Sequence, residues 1–90
     1  MYNVEKVRDF IDKWEELKCP DKVYIRCIYS KTTNVEKQYG YKELLPNRTW
    51  QDTGISVSGM ECKDSGVLIL TTNQGTHIID IDTIFDIELG

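Results

Sequence analysis

The sequence predicts an α+β protein in one domain of 90 residues: an N-terminal amphipathic helix, then a five-stranded antiparallel sheet, strongly bent or closed into a small barrel. Three observations predict this. Apolar residues recur at spacings of three and four near the N-terminus. They alternate at a spacing of two through much of the remainder. Turn signals built on glycine punctuate the last forty residues.

The helix is expected over residues 3–18. Val4, Val7, Ile11, Trp14 and Leu17 fall on one stripe, which Phe10 widens. Asn3 suits the N-cap, because its side-chain oxygen can accept from a free backbone N–H of the first turn. Glu5 lies where the helix dipole favours an anion. Cys19-Pro20 supplies the stop, since proline pushes the residue before it out of α geometry. A helix this short is marginal alone, so its stripe must pack on the β-body.

Strands are expected at about 22–31, 53–62, 66–72, 76–82 and 84–89. In the first, Val23, Ile25, Cys27 and Tyr29 share one face and Tyr24, Arg26, Ile28 and Ser30 the other. Residues 32–50 read as an irregular loop with turn signals at Thr32-Thr33-Asn34, Gly40 and Pro46-Asn47. Asp64-Ser65-Gly66 and Asn73-Gln74-Gly75 predict hairpin turns, with Gly66 suited to positive φ. Val67 to Thr72 reads as a strand buried on both faces. In the last two strands His77, Ile79 and Ile81 share a face, and Phe85, Ile87 and Leu89 oppose Asp86 and Glu88. Gly59, in mid-strand, marks a bend.

Composition excludes several classes. Hydrophobic residues make up 40% and charged residues 29% of the chain, the balance of a folded globular protein and not of a disordered one. There is no apolar run of membrane-spanning length. The three cysteines, Cys19, Cys27 and Cys62, are odd in number and follow no secretion signal, which predicts reduced thiols and a cytoplasmic location. With His77 the only histidine, they fit no zinc-ligand spacing, and neither metal nor cofactor is expected.

The net charge of −4 is unevenly placed: residues 20–50 carry +3, and residues 51–90 carry −6. The overall sign disfavours nucleic acid as a partner, because phosphate affinity needs accumulated positive charge.

Three constellations are candidates for chemistry. A Cys–His pair, from Cys62 or Cys27 with His77, has no activating neighbour in the sequence, and Cys27 on an apolar face reads as a small hydrophobe. No catalytic residue is assigned. Asp80, Asp82, Asp86 and Glu88 alternate with apolar residues and are expected to share an outer sheet face. There they would bind a hard cation, meet a basic partner, or form a solvated face whose acids discourage edge pairing. Tyr39, Tyr41, Lys42, Arg48 and Trp50 combine aromatic and basic groups in the expected loop. Such groups suit a protein hot spot or stacking on a base, and equally suit pinning the loop to the core.

The pattern of helix, then Val/Ile/Tyr-rich strand, then Ile55-Ser56-Val57-Ser58-Gly59-Met60, Val67 to Leu70 and the closing run Ile79 to Leu89 resembles the Sm/SH3-like small barrels. Among them it looks like the bacterial YolD-like proteins, over about residues 14–89, with residues 32–49 as an insertion. The resemblance implies a small SH3/Sm-like barrel without transferable catalytic residues. It also implies a small regulatory or accessory protein of bacteria or their mobile elements, such as a phage inhibitor. The expected function is therefore non-catalytic binding of a protein partner. The alternative is a barrel that binds or sequesters a small nucleotide. An RNA-binding Sm-like module is third. Open strand edges leave homo-oligomerisation available.

Overall fold

Asn3 opens the molecule as the residue types predict. In the computed structural model, which describes residues 2–30, 32–44 and 46–89, its side-chain oxygen accepts from the Lys6 N–H at 2.8 Å. Helix α1 then runs Val4–Glu16. Val7, Ile11 and Trp14 are buried, while Leu17, which the stripe includes, is half exposed beyond the helix end. The Trp14 indole N–H donates to the Pro20 carbonyl at 3.1 Å, tying the helix to the chain that leaves it.

The helix stops two residues before the expected end. Its exit is a Schellman arrangement: Cys19 N–H donates to Trp14 O and Lys18 N–H to Glu15 O, both at 2.9 Å. That geometry puts Lys18 at φ 65° and Cys19 at φ 54°, a region where a side chain is strained. Lys18→Gly is expected to stabilise the protein by about 1 kcal/mol in urea denaturation, the usual gain from glycine at such a position net of its added unfolded-state freedom.

Seven strands follow: β1 Val23–Ser30, β2 Val35–Leu44, β3 Thr49–Ile55, β4 Val57–Lys63, β5 Val67–Thr72, β6 Gly75–Asp80 and β7 Ile84–Leu89. All pairings are antiparallel. They form a four-stranded sheet in the order β3-β2-β1-β7 and a three-stranded sheet in the order β4-β5-β6. The chain passes between sheets twice. Only Ser56 separates β3 from β4, and a 3₁₀ turn, Ile81–Thr83, separates β6 from β7. The Thr83 hydroxyl closes that turn on the Asp80 carbonyl at 2.6 Å. Both predicted hairpin turns are present, with Gly66 at φ 91°.

The α+β class and the bent antiparallel body are as expected, but two expectations are corrected. Among the described residues the sheets do not close into a barrel, and there are seven strands, not five. The difference lies mainly in residues 32–50. Instead of an irregular loop, this stretch forms the β2–β3 hairpin, turned at Pro46, Asn47 and Arg48. The expected strand 53–62 is two strands in different sheets, because the chain turns at Ser56.

The core lies between the sheets and under the helix. Val7 and Ile11 from α1 join Ile25, Cys27 and Tyr39 of the larger sheet and Cys62, Leu68, Leu70 and Ile79 of the smaller, with Ile81 and Ile84 beside them. Two strand readings change in detail. Tyr24, on the face opposite Val23, Ile25 and Cys27, is buried as they are, and Tyr29, on their own face, is exposed. Phe85 does not join Ile87 and Leu89. Pairing jumps from Arg26↔Asp86 to Cys27↔Ile84, and the bulge leaves Phe85 as the extra residue, its ring 4.4 Å from the Arg26 guanidinium carbon.

Candidate functional site

The aromatic–basic residues do not converge. Tyr39 is in the core at 2% exposure. Beyond the bulge at Gly40, Tyr41 lies opposite Asp52 and Glu43 opposite Trp50, so Tyr41 and Trp50 share one face of the hairpin. Lys42, paired with Gln51, belongs to the other face. Arg48 is exposed in the turn at φ 53°. The Tyr41 phenol is pushed up by the Asp52 carboxylate, then by burial and by Asp21. A shallow groove of about 440 Å³ crosses β2 and β3, but of the five only Lys42 lines it, among other exposed polar side chains.

The four carboxylates also separate. Asp80 ends β6 in the three-stranded sheet, Asp82 lies in the 3₁₀ turn, and Asp86 and Glu88 lie on β7 in the other sheet. Asp86 and Glu88 face Arg26 and Tyr24 of β1. Partial burial, then the charges of Asp86 and Glu43, push the Glu88 carboxyl up, while Arg26 opposes the shift. No group of three or more His, Cys, Asp or Glu side chains is placed to hold a metal ion among the described residues.

A second opening is more informative. A cleft of about 380 Å³ lies where the sheets fail to close, lined by residues 27–29 of β1, Tyr39 of β2, residues 76–80 of β6 and Thr83. Three features set its character. Tyr29 at 68% exposure and Ile78 at 71% are large apolar groups left in water at its margins. The Tyr39 and His77 rings meet edge to face at 5.2 Å, with the Tyr39 hydroxyl 3.5 Å from His77 Nδ1. The His77 Nε2 is buried and has no hydrogen-bond partner. Lys37 Nζ lies 5.4 Å from the Tyr29 ring centroid and 6.0 Å from that of Tyr39.

Cys27 and His77 line the same cleft, yet the thiol is not activated. Burial pushes the Cys27 thiol up, against a smaller opposing effect of Lys37, and Sγ–H points at the Lys37 carbonyl at 3.8 Å. Cys62 is packed under the helix with Sγ 3.9 Å from the Val4 carbonyl, and burial raises its thiol too. The arrangement supplies a recess of mixed polarity, with aromatic and aliphatic groups beside Thr76, Asp80 and Thr83 and one unpaired imidazole nitrogen, which suits binding.

Sequence reasoning put His77 on a face with Ile79 and Ile81 and named Tyr39 as part of a loop, but missed Ile78 and Tyr29 as site residues. Ile78 had a signal: it follows His77 and precedes Ile79, so alternation turns it outward as an isoleucine on a polar face. Tyr29 had none, because its face is apolar over Val23, Ile25 and Cys27. Among the described residues no helix is long and apolar enough to cross a membrane. The chain matches no family model, no curated protein and no solved structure.

Proposed function

We propose that this protein is a non-catalytic binding module that recognises a protein partner through the cleft between β1 and β6. The observation that carries the reading is the pair of exposed apolar side chains, Tyr29 and Ile78, flanking a recess that ends on Tyr39 and His77. Isolated exposed apolar residues are ordinary, but two large ones beside one concave opening are the usual composition of a contact surface. The small-nucleotide alternative needed Tyr39, Tyr41, Arg48 and Trp50 to line one pocket, and they occupy the core, a hairpin face and a turn. A regulatory or inhibitory role by occlusion of a larger partner is consistent with a module of this size.

The test uses two display libraries, one of random peptides and one of folded domains, selected on the wild-type protein and on Ile78→Asp. Ile78 is so exposed that the substitution should cost no more than about 1 kcal/mol of folding stability, the span of strand propensity. Binders are expected whose affinity falls at least about tenfold on Ile78→Asp and on Tyr29→Ala. Binders indifferent to both substitutions, or a melting-temperature rise with free nucleotides and no protein binder, would overturn the reading.

A further inference from the structure

The cleft is bordered by backbone as well as by side chains. Strand β6 is the last of its sheet and pairs only with β5. The β5–β6 hairpin closes on Thr72↔Gly75, and beyond the other end of the ladder Ile81 N–H donates to Gly66 O at 3.0 Å. Both ends place the hydrogen-bonded pairs at Gly75, His77 and Ile79, so Thr76, Ile78 and Asp80 turn their N–H and C=O groups away from β5. Across the cleft, β7 leaves β1 at Cys27↔Ile84, whereas β2 stays paired as far as Ser30↔Val35. Ile28 therefore has a strand neighbour on one side only, and Tyr29, the extra residue where the β1–β2 register shifts, has no ladder partner among the described residues. Two unpaired strand edges border one opening.

We infer that the partner enters this cleft as an extended strand, pairing its backbone with the free edge of β6 on one side and with the end of β1 on the other, so that the guest bridges the two sheets. The inference rests on the protein-binding reading and names the partner's chemistry. A compact ligand can satisfy one or two backbone groups. Only an extended chain presents N–H and C=O groups along both of its edges at the spacing of a strand. The edge is also little guarded. Exposed strands are normally blunted by charge, proline or a bulge, and Gly75-Thr76-His77-Ile78-Ile79-Asp80 has no proline, no bulge and a charge only at its last residue. Side chains set the preference further. The guest needs apolar groups at every second position for Tyr29 and Ile78, a hydrogen-bonding group for the buried Nε2 of His77, an acidic group near Lys37 and a basic one near Asp80.

The probe is a random heptapeptide display library, selected on wild type and counter-selected on Ile78→Asp. The best-enriched peptide is then synthesised plain and in two N-methylated forms, one for each set of alternate residues. A guest paired on both sides is expected to lose at least about tenfold in affinity in each form, because both sets lose donors. On binding the plain peptide, the amides of Thr76, Ile78 and Asp80 should gain protection from hydrogen exchange. Loss in one form only, or in neither, would overturn the bridging strand. So would concentration-dependent dimerisation that protects the same amides without peptide, since a second copy would then be the occupant. Domain-library binders that depend on Ile78 but leave those amides unprotected would retain the protein-binding reading and overturn the strand. Absence of Ile78-dependent binders from both libraries would overturn both.

Discussion

Gly40→Ala is expected to destabilise the protein by about 4 kcal/mol, a large part of the roughly 5–13 kcal/mol that a chain of this length has in hand. Gly40 is buried in the middle of β2 at φ 83°, opposite Tyr24 of β1 and Ile55 of β3. A Cβ there would overlap the Val23 carbonyl oxygen and lie 2.9 Å from its carbonyl carbon. Those atoms are backbone of the central strand, so relief requires β1 and β2 to move apart and not a rotamer change. The Gly40 carbonyl, which accepts from the Thr53 hydroxyl at 2.6 Å, would move with them. Gly54→Ala separates the two contributions. Gly54 has nearly the same φ, 87°, but no atom within 4 Å of its would-be Cβ. It should lose only about 1 kcal/mol, the conformational part alone. Urea denaturation of both variants decides the matter. Equal losses would mean that the steric contact with Val23 is relieved cheaply.

The same glycine shows why part of the fold was legible and part was not. The helix has a period of 3.6 and a capping asparagine, and both signals are local. The β4–β5 and β5–β6 hairpins have glycine in turns bounded by alternating apolar residues, which is also local. Gly40 gives an ambiguous signal, because a turn and a mid-strand bulge ask for the same positive φ. Read with Thr33-Asn34 and Pro46-Asn47 it looks like one more turn, and its neighbours Glu36, Lys37, Gln38, Lys42 and Glu43 are poor strand formers. They form a strand because β1 pairs with β2 on one side and β3 on the other, a tertiary effect that outweighs propensity.

The site was less legible than the fold for a related reason. Tyr39 and His77 are 38 residues apart and on different sheets, and they meet only because the chain crosses from one sheet to the other at Ser56. No spacing in the sequence encodes that crossing. The separation of Asp80 from Asp86 arises in the same way. Alternation across the turn at Asp82-Thr83 suggests neighbouring strands, but the 3₁₀ turn carries the chain from the edge of one sheet to the edge of the other. The turn position is readable from the sequence, whereas the strand that receives the chain afterwards is set by β1.

Raising the pH should weaken the wild-type protein more than Tyr39→Phe, by on the order of 2 kcal/mol across the alkaline range. Burial pushes the Tyr39 phenol up to about 12 from its ordinary 10, with Cys27 and Tyr29 adding to the shift. Between those values the unfolded chain releases this proton and the folded chain keeps it. The unfolded state therefore binds fewer protons, and unfolding becomes easier as the pH rises. The stabilisation is complete below pH 10 and is lost on the way to pH 12. Lysine titration also weakens the fold in this range, which is why the comparison is with Tyr39→Phe. That variant keeps the ring against His77 and removes the buried phenol that is pushed up to about 12. At neutral pH it should lose about 1 kcal/mol, because the hydroxyl near His77 Nδ1 is gone. The two stability curves should converge as the pH rises from 10 and cross on the way to 12. Parallel curves would mean that the phenol is free to ionise in the folded protein, and hence that the cleft above Tyr39 and His77 admits water down to the hydroxyl.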